Sequence, residues 1–350
     1  MASSSGNQNA KQRARDAARH TIRDAPSWTP QSLAQAVREG KREALAQAIT
    51  WVESSRPEHQ PLIEQLLAEL PPTSSSLRIG FTGIPGVGKS TLIERFGLRA
   101  LAQGWKVAVL AVDPSSQRTG GSLLGDKTRM TELSKHPDAF VRPSAAASTL
   151  GGVSRATSEA IQVCEAAGFD LILVETVGVG QSEIAVRSMV DVFALMLIGG
   201  AGDDVQGIKR GVVEMADLVI VHKAEDDRLA ACRTTASAYR QALHVLPSPP
   251  SGSAADVLLV SSLSGEGHEA LWEGILGLKN DWTASGWWAR QRSTQQLEAM
   301  ERHARQLLIE AHMQSNSADW LQLEREVERG TISPFSAART WVELPKRSQG

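Results

Sequence analysis

The stretch Gly83-Ile84-Pro85-Gly86-Val87-Gly88-Lys89-Ser90 leaves this chain few folds to choose from. It fits G-x-x-x-x-G-K-[ST], in which glycines let the backbone curl and point successive N–H groups at phosphate oxygens. Lys89 would reach the β- and γ-phosphates, and the Ser90 hydroxyl would coordinate Mg²⁺. The pattern also arises by chance, so its flanks decide. Before it, 77–82 is an apolar run typical of a buried strand; after it, Thr91, Leu92, Ile93, Phe96, Leu98 and Leu101 have helical spacing. An anion site needs this order, because the helix N-terminus adds its own N–H groups and dipole. The residues from Gly83 to Thr91 are therefore expected to hold a nucleoside triphosphate.

The rest of the chain supplies the sheet such a loop requires. Apolar runs at 106–112, 140–142, 170–174, 192–198, 218–221 and 257–260 read as strands. Helical patterns alternate with them, beginning near Gly125, Val153, Asp204, Asp226 and Gly267. This alternation predicts an α/β fold, a P-loop NTPase with a mostly parallel sheet flanked by helices. In such sheets ligands lie beyond the carboxyl ends of the strands. Asp113, Glu175 and His222-Lys223 are all placed there.

Two helical extensions flank this domain. Leu33, Val37, Leu45, Ile49 and Val52, then Leu62, Ile63, Leu66, Leu67 and Leu70, read as amphipathic helices closed by Pro71-Pro72. Beyond Asn280 an apolar stripe runs through Trp287, Trp288, Leu297, Met300, Ala304, Leu307, Leu308 and Ala311, either packed on its own domain or serving a dimer. The expected organisation is a disordered tail over 1–30, an N-terminal helical extension over 31–72, the nucleotide domain over 73–280 and a helical dimerisation segment over 281–350. The tail bears Arg13, Arg15, Arg19 and Arg23, as a mitochondrial transit peptide would, but Asp16 and Asp24 weigh against that reading.

Composition excludes several classes. A net charge of −2 over 350 residues gives no global basic field for nucleic acid or membrane. The two cysteines, Cys164 and Cys232, form no C-x-x-C, which suits a reduced compartment, here expected to be the cytoplasm. No apolar run reaches the length of a membrane span.

Phosphoryl transfer needs a metal to neutralise charge on the β- and γ-phosphates. Asp113, Asp126 and Glu175 are the carboxylates placed to hold Mg²⁺ with Ser90, directly or through water. Asp113 and Asp126 could instead be turn or helix caps. Glu175 is harder to reassign, because an acid closing an apolar strand is costly unless it serves a site. Gly178 and Gly180 would sense a γ-phosphate through backbone N–H groups, in a switch-loop arrangement. Gln181 could position water or be a simple loop amide, and no residue is nominated as general base.

Longer motifs carry a resemblance. Ala111-Val112-Asp113-Pro114-Ser115-Ser116, Thr119-Gly120-Gly121-Ser122, Leu124 to Met130, Val174 to Glu183 and Gly202 to Lys209 resemble the MeaB/ArgK family, over nearly the whole chain from Leu33 to Val342. These are GTPases associated with methylmalonyl-CoA mutase and related coenzyme-B12-dependent acyl-CoA mutases. The resemblance implies a homodimeric, Mg²⁺-dependent GTPase of the signal-recognition and partition-ATPase class. In the family, GTP binding and hydrolysis gate adenosylcobalamin delivery to the mutase and protect it. It implies switches after Asp113, around Glu175–Gln181 and around Gly200–Lys209, with Lys89, Glu175, Gln181 and Lys209 as the catalytic set.

One departure stands out. Family members read guanine with Asn-Lys-x-Asp; this chain has His222-Lys223-Ala224-Glu225. Glu225 keeps the carboxylate acceptor on a longer stem, Lys223 can pack along the base, and His222 replaces only some of an asparagine's hydrogen bonds. Ser261-Ser262-Leu263 could offer a backbone N–H to guanine O6. Four readings follow: a regulatory GTPase for a B12-dependent mutase, a P-loop kinase or NTPase with relaxed base specificity, a metal-insertion GTPase, and a nucleotide-binding scaffold. The eight histidines are scattered, which disfavours metal insertion.

Overall fold

The computed structural model describes residues 28–54, 56–71, 76–112, 130–143, 150–176, 182–200 and 210–344. Seven strands form one sheet in the order β3-β2-β4-β1-β5-β6-β7, every neighbouring pair parallel. They are β1 (Leu77–Gly83), β2 (Val107–Val112), β3 (Ala139–Arg142), β4 (Leu171–Thr176), β5 (Val192–Ile198), β6 (Leu218–His222) and β7 (Asp256–Val260). Each falls within about a residue or two of an expected run. Strands β2 and β4 are buried along their whole length, as expected where helices cover both faces of a parallel sheet.

The helices among the described residues are α1 (Pro30–Arg38), α2 (Arg42–Val52), α3 (Gln60–Glu69), α4 (Lys89–Ala102), α5 (Leu150–Ala166), α6 (Ser182–Arg187) and α7 (Arg210–Glu214). They continue with α8 (Leu229–His244), α9 (His268–Ala284), α10 (Trp287–Ser315), α11 (Ser317–Glu328) and α12 (Pro334–Glu343). The helix starts expected near Gly125 and Asp204 lie outside the described residues. No helix among those described is long and apolar enough to cross a membrane.

The chain divides into two compact units. Among the described residues, the first comprises 28–71 and 159–168. Its core is Leu33, Val37, Leu45, Ile49, Val52, Ile63 and Leu66, all essentially inaccessible. Thr29 caps α1 reciprocally with Ser32, and Pro30 occupies its first turn, where no N–H partner is lost.

The second unit contains the sheet and the C-terminal helices. Its core joins Leu77, Ile79 and Phe81 of β1 to Leu92, Ile93 and Phe96 of α4 and to Trp272 and Ile275 of α9. Phe81, Phe96 and Trp272 contact one another in series, the first pair edge-to-face and the second tilted, with centroids 6.3 and 5.2 Å apart. Of the C-terminal stripe, which could pack on its own domain or serve a dimer, Trp287 and Trp288 pack against the core. Along α10, Gln291, Arg292 and Gln295 are buried, whereas Leu297, Met300, Leu307 and Leu308 are 61%, 65%, 52% and 60% exposed. The polar residues point inward because they have backbone and carboxylate partners. Arg292 donates to both oxygens of the fully buried Asp191, at 2.5 and 2.7 Å, and to the Ser76 carbonyl at 2.7 Å. Gln291 and Gln295 donate to the Asp191 and Val190 carbonyls. Asp191 Oδ2 also accepts from the Arg78 N–H. These bonds fix α10 at the amino ends of β1 and β5, opposite the edge where Gly83 lies.

Candidate nucleotide site

The loop at the end of β1 has the shape its sequence demands. Gly83 and Gly88 have φ values of 152° and 99°, in the region that favours glycine. A Cβ on Gly83 would strike the Met196 carbonyl, and one on Gly88 would lie 2.7 Å from the His222 ring. Helix α4 starts at Lys89, so its first N–H groups, which have no partner within the helix, face the turn. Lys89 Nζ donates to the Gly83 and Ile84 carbonyls at 2.7 and 3.1 Å, which holds the ammonium over the loop. Burial lowers the Lys89 pKa, and the charges of Glu175 and Glu183 oppose that shift. Thr91 lies exposed in the first turn of α4, and Ile84 packs against the core beneath the loop.

A second cluster meets the loop from β4. Register places Glu175 beside Phe81 on one side and Ala111 on the other. The Ser90 hydroxyl donates to Glu175 Oε1 at 2.8 Å, with both residues buried. Two hard oxygens converging beside a phosphate loop suit Mg²⁺, which prefers oxygen ligands and keeps several waters. Thr176 Oγ1 donates to Thr82 Oγ1 at 3.0 Å, fixing the strand ends that carry the two halves. Glu183, buried at the start of α6 and electrostatically coupled to Lys89, was not foreseen in a site role. The sequence signal for it is an acid in the first helical turn after a glycine-rich loop. Asp113, Asp126, Gln181 and Lys209, with Gly178 and Gly180, lie outside the described residues.

The third part comes from the ends of β6 and β7. His222 Nδ1 lies 2.7 Å from the Val87 carbonyl, so that nitrogen carries the donated proton; Nε2 lies 2.8 Å from Ser262 Oγ. Burial lowers the His222 pKa, with the Val87 carbonyl and Glu225 pulling the other way. Lys223 Nζ donates to the Gly86 carbonyl at 2.8 Å. Ser261 donates its hydroxyl proton to Glu225 Oε2, and the Ser264 N–H donates back to Ser261 Oγ at 3.1 Å. Leu263 projects into solvent at the tip of this turn. Lys223 and Asp226 adopt left-handed φ values of 58° and 47°, each costing about 1–2 kcal/mol for a residue other than glycine. Such strain collects where a loop must present specific atoms.

A phosphate cradle, a buried hydroxyl–carboxylate pair and a carboxylate-bearing turn thus lie along one sheet edge. The profile of the family described as methylmalonyl-CoA mutase-associated GTPase MeaB matches residues 45–317. The chain belongs to the MeaB family. Like its relatives it is a GTPase and binds GTP. GTPase ArgK of Escherichia coli is 42% identical over 303 residues, covering 86% of this chain and 92% of its own. The mouse methylmalonic aciduria type A homolog, mitochondrial, is 44% identical over 308 residues, covering 84% of this chain and 74% of its own. Among solved structures, an LAO/AO transport system kinase superposes with a TM-score of 0.70 at 35% identity, over 91% of this chain and 98% of that one. MeaB membership and this superposition agree with the α/β P-loop architecture expected from the strand pattern.

Proposed function

We propose that this MeaB-family GTPase is a Mg²⁺-dependent switch that gates adenosylcobalamin loading of a B12-dependent acyl-CoA mutase such as methylmalonyl-CoA mutase, and protects that mutase. The observation that carries the Mg²⁺-dependent chemistry is the buried Ser90–Glu175 pair beside the phosphate loop. The family description and the name of the mouse relative support the mutase as partner. The exposed apolar face of α10 supports a homodimer.

In this reading the N–H groups from Gly86 to Ser90 hold the β- and γ-phosphates, and Lys89 spreads positive charge over them. Ser90 and Glu175 would hold the metal, which supplies charge neutralisation on the phosphates when bound. Water attacks the γ-phosphorus, the bond to the β–γ bridging oxygen breaks, and the water's protons end on inorganic phosphate and solvent. Glu225 accepts from the guanine N1–H and amine. Asp113 and Asp126 as metal carboxylates, Gln181 as the water-positioning group and Lys209 as a further catalytic group belong to the same reading.

Titration with GTP, ATP and their diphosphates, with and without Mg²⁺, tests the site. Tight Mg²⁺-dependent GTP binding is expected, with Lys89→Ala losing at least about 100-fold in turnover. Equal affinity for ATP would overturn the guanine assignment, and a phosphorylated acceptor in place of free phosphate would favour a kinase. Purified methylmalonyl-CoA mutase should bind in a nucleotide-dependent manner. Absence of binding to it and to related acyl-CoA mutases in both nucleotide states would defeat the partner assignment.

A further inference from the structure

Both ring nitrogens of His222 are engaged by the protein itself, one by the Val87 carbonyl and one by Ser262 Oγ. These partners belong to different loops, the phosphate loop after β1 and the turn after β7. The ring also lies against the phosphate-loop backbone, since a Cβ on Gly88 would come within 2.7 Å of it. The neighbouring Lys223 adds a bond to Gly86. The motif therefore grips the phosphate loop at Gly86, Val87 and Gly88, while Glu225 is steadied separately by Ser261.

From this geometry we infer that His222 is a positioning residue: it cross-ties the phosphate loop to the Ser261–Leu263 turn and contacts no atom of the nucleotide. Glu225 alone among the motif's side chains then reads the hydrogen-bonding edge of guanine. The inference rests on the GTP reading of the site. An imidazole has two polar atoms, and in His222 both are used. The tie also survives protonation, since a hydroxyl can accept from an imidazolium as readily as it donates to an imidazole. Phosphate-end and base-end geometry are in this way joined through one side chain, so loosening His222 disturbs the grip on guanine and hypoxanthine, which share O6, equally.

The test compares GDP, IDP and ADP binding to the full chain with Mg²⁺ by isothermal titration. IDP lacks the exocyclic amine of guanine and so reports on contact with that edge. His222→Ala should weaken GDP and IDP by the same factor, about tenfold for the loss of the two-sided tie, and leave their ratio unchanged. His222→Asn should restore most of the affinity, because a carboxamide can donate to Val87 and pair with Ser262. Glu225→Ala should instead collapse the GDP-to-IDP ratio toward one. Thermal midpoints of each variant confirm that binding is measured on folded protein, and Ser262→Ala offers a second way to cut the tie. A GDP-to-IDP ratio that falls in His222→Ala as far as in Glu225→Ala would overturn the inference, as would unchanged affinity in His222→Ala. Wild-type protein with no preference for GDP over ADP would instead defeat the guanine reading, and an equal loss of GDP and IDP binding in His222→Ala would still decide the tie.

Discussion

Gly88 shows how little freedom individual residues have at this site. Its φ of 99° and the nearby His222 ring exclude any side chain on two separate grounds. Gly88→Ala should lower GDP affinity by roughly tenfold, combining left-handed strain with displacement of the ring. Gly104→Ala provides the control: its φ is 81°, yet nothing crowds its Cβ, so stability should fall while affinity holds. Titration of both variants separates strain from crowding. His222 also has a pH signature. Burial holds its pKa below the ordinary value, as it does for His268, whose near charges include His222, and for His303. A depressed folded-state pKa means the stability is fully present above about pH 6.5 and is lost as pH falls toward the folded value. The thermal midpoint of wild-type protein should therefore drop further than that of His222→Asn between pH 7.5 and pH 5.5, and parallel curves would contradict this. The phosphate loop was legible in the sequence because one local turn dictates it. The partners of His222 were not, because Val87 and Ser262 lie 135 and 40 residues away and only the sheet brings them together.

At the scale of elements, the strands were legible for a simple reason: a strand covered on both faces is apolar throughout, and its run length distinguishes it from a helix. The orientation of α10 was not. Periodicity groups Leu297, Met300, Leu307 and Leu308 on one stripe but leaves open whether that stripe meets the core or a partner. The actual contact is made by Gln291, Arg292 and Gln295, whose partners are a buried carboxylate and three backbone carbonyls. Burial alone pushes the Asp191 carboxyl up, and Arg292 and the Arg78 N–H oppose that shift. Removing one member of such a pair leaves an uncompensated buried charge. Arg292→Ala should therefore cost about 3–5 kcal/mol in denaturant unfolding. Arg305→Ala, which breaks an exposed pair with Glu301 on the same helix, should cost almost nothing. Similar losses from the two variants would show that the Asp191 contact does not anchor the helix.

For the molecule as a whole, this packing leaves an apolar face of α10 exposed. A patch of that kind marks an interface more often than it marks chance. The proposed homodimer makes it testable: Leu297→Glu with Leu308→Glu should shift the mass measured by light scattering from dimer to monomer without lowering the thermal midpoint of the isolated chain. A mass unchanged by both charges would place the interface elsewhere. Helix α10 reaches well beyond its anchor. Its 29 residues span about 43 Å at 1.5 Å per residue, and among the described residues its buried polar contacts to the sheet come from Gln291, Arg292 and Gln295, with Arg302 bonding Ser188 further along. The attachment points, Ser188 to Asp191, follow directly on α6, which opens with the Glu183 that shares the electrostatic field of Lys89. Pivoting at Asp191, such a helix would act as a lever. A rotation of about 5° there would carry the far end, about 35 Å beyond Arg292, through roughly 3 Å, so a small displacement beside the phosphates would become one that a partner can feel.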